Sequence, residues 1–165
     1  MQKKRCIILG YGNPGRQDDG LGVEFATLAE NDPCISALCD VESDYQLNIE
    51  DALMISDYEI VVFVDASLDS EEPFSFRRLS PSMEISFTTH TLSAESLLAL
   101  CHELYRKEPL AYMMAIRGCE WELGAEMTKS ARENLSKAYA YFSEFASRGF
   151  CEHVFAECGD CRGLH

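Results

Sequence analysis

No apolar run in this sequence approaches the ~18 residues a helix needs to cross a bilayer, so a helical membrane protein is excluded. The only early hydrophobic stretch is Cys6–Leu9, after Met-Gln-Lys-Lys-Arg. It is too short for a secretory leader and runs into a glycine-rich turn, so a cytoplasmic protein is expected. Positive charge is scarce: 14 Lys and Arg stand against 28 Asp and Glu, a net charge of −14. A nucleic-acid partner is excluded on that ground, because displacing counterions takes clustered Lys and Arg. The same charge would attract cations or a basic protein segment, and it serves solubility. Internal repeats, low-complexity tracts and linkers are missing before residue 149. A disulfide framework is not expected either, although there are eight cysteines. With no leader expected, the chain is expected to meet a reducing compartment. Cys6 falls in the first apolar run, Cys101 on a helical stripe, and Cys34, Cys39 and Cys119 in extended stretches, all of which suit buried free thiols.

What is present alternates strand and helix. Lys4–Gly10 predicts a short buried strand. A turn from Tyr11 to Asp18 leads into a helix ending near Asn31, with Leu21, Phe25, Leu28 and Ala29 on its apolar face. Cys34–Cys39 predicts a second strand, and Asn48 the cap of a short helix through Ile55. Glu59–Asp65 holds the continuous apolar run of a central parallel strand. Phe74–Leu79 and Met83–Phe87 predict strands towards an edge. Ser93–Arg106 predicts a helix with Ala94, Leu97, Leu98, Cys101 and Leu104 inward. Leu110–Gly118 predicts another strand, and Glu126–Ser147 the longest helix, stopped by Gly149. The expected fold class is therefore α/β: a three-layer α/β/α sandwich with a mixed, mostly parallel sheet in a single domain, residues 1–149. Residues 150–165 form a Cys/His-containing tail. In such sheets, sites lie beyond the carboxyl ends of the strands. The loop Gly10–Asp19 and the strand-ending Asp65 should share that rim.

Gly10-Tyr11-Gly12-Asn13-Pro14-Gly15 matches the glycine pattern of dinucleotide-binding proteins, with Asp40 or Glu42 at a distance suited to a ribose. A pyrophosphate, however, needs a helix N-terminus free of negative charge, and Asp18 and Asp19 sit where this helix begins. The longer stretch Ile7-Ile8-Leu9-Gly10-Tyr11-Gly12-Asn13, continued by Asp18-Asp19-Gly20, resembles the opening signature of the hydrogenase maturation endopeptidases. In that family the second residue of the acidic pair is a metal-binding carboxylate, which corresponds to Asp19. Val61-Val62-Phe63-Val64-Asp65 is similar to the family's strand ending in aspartate. Thr88-Thr89-His90-Thr91-Leu92 is similar to its histidine before a leucine-rich helix, and Gly118-Cys119-Glu120-Trp121-Glu122-Leu123-Gly124 to its closing segment. The resemblance spans residues 5–147. It departs from the family in an aspartate at position 19 where glutamate is common, and in Asn13-Pro14-Gly15. Those three residues resemble the start of bacterial peptidyl-tRNA hydrolases, but the Arg-His-Asn stretch of those enzymes is absent here, and so is a basic surface.

The resemblance implies an endopeptidase that recognises nickel in the precursor of the [NiFe]-hydrogenase large subunit and removes its C-terminal extension. It would act as a monomer, with Asp19, Asp65 and His90 as both metal-binding and catalytic residues. Two carboxylates and an imidazole suit nickel or another divalent ion, and three protein ligands leave a position open. Hydrolysis by metal polarisation and hydrolysis by a carboxylate base both stay open. A non-enzymatic nickel chaperone using the same three residues is the rival. Asp18 is assigned to capping the first helix. Gly12 and Asn13 are expected to shape a substrate loop, with their N–H groups available to a substrate. In the tail, Cys151, His153, Cys158 and Cys161 offer a second, zinc-type ligand set, weighed against a frayed polar end.

Overall fold

In Cys6–Leu9 and Ile60–Val64 every side chain is buried, as strands covered on both faces require. They belong to β1 (Cys6–Tyr11) and β3 (Ile60–Ser67), neighbours at the centre of the sheet. The computed structural model describes residues 4–82 and 92–151. Among them a five-stranded sheet runs in the order β2-β1-β3-β5-β4, with β2 at Cys39–Asp44, β4 at Phe74–Leu79 and β5 at Leu110–Arg117. All neighbours are parallel except β4, which pairs antiparallel with β5 at one edge. Helices α1 (Leu21–Asn31), α2 (Pro33–Leu38) and α5 (Lys129–Ser147) pack on one face against Ile8, Val62, Val64 and Met114. On the other face α3 (Asp51–Ile55) and α4 (Ala94–Tyr105) pack against Ile7, Leu9, Val61 and Phe63. The chain is thus a single-domain, three-layer α/β/α sandwich with a mixed, mostly parallel sheet. Among the described residues no helix is long and apolar enough to cross a membrane.

The inward stripe of α5, Ala131, Leu135, Ala138, Phe142 and Phe145, is buried as its 3.6-residue spacing predicts. Phe25 of α1 meets Phe142 of α5 edge to face, and Phe145 lies tilted beside Phe142. Several local expectations are corrected. Cys34–Cys39 is not a strand: Pro33–Leu38 is helical, and the strand starts at Cys39. The cause is Asp32, whose carboxylate accepts from Cys34 N at 2.9 Å and Ile35 N at 3.4 Å, with Pro33 pre-set for the first helical position. Asn48 does not cap α3: its side-chain amide donates to Asp44 and the Gln46 carbonyl, and Glu50 precedes the helix. The long helix starts at Lys129 because Thr128 Oγ1 caps it at Ala131 N. Leu28 and Leu104 lie at the margins of their apolar stripes and are exposed. Cys34 and Cys119 are exposed rather than buried, whereas Cys6, Cys39 and Cys101 are buried. The expected strand Met83–Phe87 lies outside the described residues.

Candidate functional site

The chain leaves β1 by α1 on one face and reaches β2; it leaves β2 by α3 on the other face and reaches β3. Connections therefore diverge between β1 and β3, the switch point at which α/β sheets form ligand crevices. At its carboxyl edge lie the loop after β1 and the end of β3.

Packing that loop this closely requires missing side chains. Gly22, in the first turn of α1, lies so near the strands that a Cβ there would stand 2.4 Å from the Val64 carbonyl oxygen and 2.5 Å from that of Tyr11. Gly12 has φ +137°, and a Cβ on it would stand 2.1 Å from the Asp19 carbonyl oxygen. A glycine here lets the chain fold back onto the 3-10 turn Gln17–Gly20, which carries Asp18 and Asp19. Gly12 N–H donates to Asp44 O at 3.1 Å, and Asn13 N–H to Asp19 Oδ2 at 3.2 Å. Both N–H groups are thus engaged, that of Gly12 with the end of β2 and that of Asn13 within the loop. Gly12 and Asn13 shape the turn and orient Asp19, and the expectation that they offer N–H groups to a substrate is corrected.

Asp65 follows the apolar run of β3 but does not end the strand, which continues to Ser67. Alternation sends Val62 and Val64 to the α1 face and turns Asp65 to the α4 face. Its Oδ1 accepts from Ala66 N–H at 2.8 Å. Burial pushes its carboxyl up to about 7; the Ala66 bond opposes this, and the nearby Asp19 carboxylate adds to it. Asp19 and Asp65, 46 positions apart in sequence (65 − 19), therefore share one electrostatic environment. Tyr11 lies at the same rim: burial raises its hydroxyl, as do the charges of Asp65 and of Glu95 in the first turn of α4. A cleft of about 230 Å³ opens alongside, with Leu9, Leu47 and Met54 in its lining and Glu42, Asp44 and Asp51 as its acidic side chains.

His90 lies outside the described residues. Among the described residues no three His, Cys, Asp or Glu side chains are grouped to hold a metal. Asp19 and Asp65 are half-buried carboxylates whose charges repel, a repulsion that a divalent cation would relieve. Of the expected second set, Cys151 is exposed, and His153, Cys158 and Cys161 lie outside the described residues. Asp18 does not cap α1. It is fully buried, and its carboxylate accepts from Cys119 N, Glu120 N, Thr128 N and Thr128 Oγ1. Burial would raise it, but these donors hold it below the usual carboxylate range. Sequence reasoning missed this role because every partner lies over 100 residues away. It also missed Tyr11, the variable position between two motif glycines, and Glu95, which carries no motif. A pyrophosphate at α1 would meet Asp18 and Asp19, so the dinucleotide alternative has no anion site here.

No protein-family model matches the sequence, and no curated protein matches it by sequence. Solved structures do match its fold. The [NiFe]-hydrogenase maturation protease HycI of Thermococcus kodakarensis superposes with a TM-score of 0.66 at 20% identity, covering 88% of this chain and 94% of that one. The hydrogenase maturating endopeptidase HybD of E. coli gives 0.67 at 14% identity, again over 88% and 94%. A hydrogenase 2 maturation peptidase from a Thaumarchaeota archaeon gives 0.63 at 20% identity, over 89% and 99%. Similarity over nearly the whole of each neighbour means that the same layers and strand order recur, not one shared motif. The chain therefore has the fold of the hydrogenase maturation proteases.

Proposed function

We propose that this protein is an endopeptidase that recognises nickel carried by the precursor of a [NiFe]-hydrogenase large subunit and removes the precursor's C-terminal extension. The reading is carried by the positions of Asp19, on the turn after β1, and Asp65, on neighbouring β3 at the sheet's switch point, with Asp19's charge helping to push Asp65 up to about 7. Shared fold with proteases of that name supports the reading, as does the sequence signature around Asp19, Asp65 and His90.

Two carboxylates left together repel, and burial makes the charged form of Asp65 costly. Nickel arriving with the substrate offsets both terms, so the pair would favour a precursor whose metal is already installed. His90 would supply a third, borderline-soft ligand and leave a position for the substrate's own groups. Here nickel belongs to the substrate; the protein contributes the ligands, their spacing and a half-buried rim. A group that titrates near neutral pH also suits proton transfer to or from a water attacking the scissile carbonyl, and Asp65 is the candidate for that step. The adjacent cleft is wide enough for a short stretch of side chains, and its acidic groups favour a basic segment.

The test is to incubate the purified protein with nickel-loaded and nickel-free precursor and to weigh the products. Loss of C-terminal mass from the loaded precursor alone is expected. Tight binding of nickel without any cleavage would instead make the protein a chaperone.

A further inference from the structure

We infer that Asp18 is a positioning residue for this cleavage, clamping the loop 119–128 to the turn that carries Asp19; the inference rests on the peptidase reading of the neighbouring site. A buried carboxylate is retained only where donors satisfy it, and Asp18 has four. Oδ2 accepts from Cys119 N at 2.8 Å, Glu120 N at 3.1 Å and Thr128 Oγ1 at 2.8 Å, while Oδ1 accepts from Thr128 N at 2.8 Å. These donors sit at the two ends of one loop, so a single side chain closes it.

Neighbouring groups extend the seam. Asp18 N–H donates to Glu120 O at 3.1 Å, and Gly124 N–H to Gly15 O at 3.0 Å. The Gln17 side chain donates to Glu120 Oε2 and accepts from Glu122 N, both at 3.0 Å. Gln17 does so at φ +53°, a left-handed backbone that a residue with a Cβ holds only when its surroundings dictate it. Trp121 is seated over Gly118: a Cβ on that glycine would stand 2.5 Å from the indole ring and 3.0 Å from the Asp18 Cβ. Clamp, aromatic wall and Asp19 turn are consequently one unit. Because Asp19 follows Asp18 directly, fixing one sets where the other's carboxylate points.

Asp18→Asn tests this. The amide keeps the shape but puts an N–H where a backbone N–H or hydroxyl already donates. Expected are faster hydrogen exchange at the amides of Cys119, Glu120 and Thr128, and a kcat for precursor cleavage lower by about ten- to a hundredfold. KM should stay within about threefold, since the cleft that meets the extension is untouched. A purely structural residue would lower the melting temperature and leave kcat per folded molecule unchanged; that result, or unchanged exchange, overturns the inference. Should Asp18→Asn not fold, Gln17→Gly substitutes for it: glycine accepts the left-handed backbone and deletes both side-chain bonds. An unchanged kcat in that variant is equally contrary, and a severalfold drop is expected. If the wild-type protein cleaves nothing, the peptidase reading fails and this inference with it. An active wild type with an equally active Asp18→Asn removes this inference alone.

Discussion

Asp65 and Asp18 are both carboxylates shielded from water, and their environments drive them in opposite directions. Asp18 is surrounded by donors and stays charged; Asp65 has one N–H, a like charge nearby and little water. The consequence for stability has a definite sign. Asp65 titrates at 3.8 in the unfolded chain and at about 7 in the folded one, so between those values the folded state holds the extra proton. Stability associated with this group is fully present below pH 3.8, declines as pH rises towards 7, and is absent above it. Asp65→Asn removes the penalty. The variant is expected to be more stable than the wild type at pH 8, by about 1–3 kcal/mol in urea unfolding, and to process no precursor. A variant less stable at pH 8 than the wild type would contradict the assignment of cause. Asp19 and Asp65 could each be singled out in the sequence, one from the acidic doublet and the other from its place after the apolar run of β3. Asp18's role could not, because a carboxylate at a helix start looks the same whether it caps that helix or reaches across the molecule.

At the scale of elements, local chemistry decided boundaries and burial decided faces. Continuous apolar runs made β1 and β3 readable as central strands, and the five inward residues of α5 made its buried stripe readable. The reading failed at Cys34–Cys39, where a short run of mixed residues has no clear period and a cap outweighs it. Asp32 and Pro33 together start α2, and Tyr139 Oη donates to the other Asp32 oxygen at 2.8 Å, tying α2 to α5. Asp32→Ala is therefore expected to lower the midpoint of denaturant unfolding. Cleavage of the precursor per folded molecule should not change, since α2 packs on the face of the sheet opposite α4, away from Asp65. A fall in cleavage without a fall in stability would mean that α2 takes part in the site.

On the scale of the whole molecule, strand order does what no single motif can. It places the ends of β1 and β3 side by side, so that the turn after β1 and the last residues of β3 lie at the point where connections diverge. The acidic surface that made a nucleic-acid partner unsuitable also suits a cation-bearing substrate. Parallel neighbours could be anticipated from the alternation of strand and helix. The order of strands, and hence the meeting of Asp19 with Asp65, depends on long-range pairing that a one-dimensional pattern does not encode. Most direct for the central claim is single-turnover cleavage of nickel-loaded precursor by Asp19→Ala, Asp65→Ala and His90→Ala, each first shown to be folded by its thermal transition. All three are expected to remain folded and to leave the precursor's C-terminal extension attached. Cleavage at the wild-type rate by the Asp19 and Asp65 variants would contradict the claim.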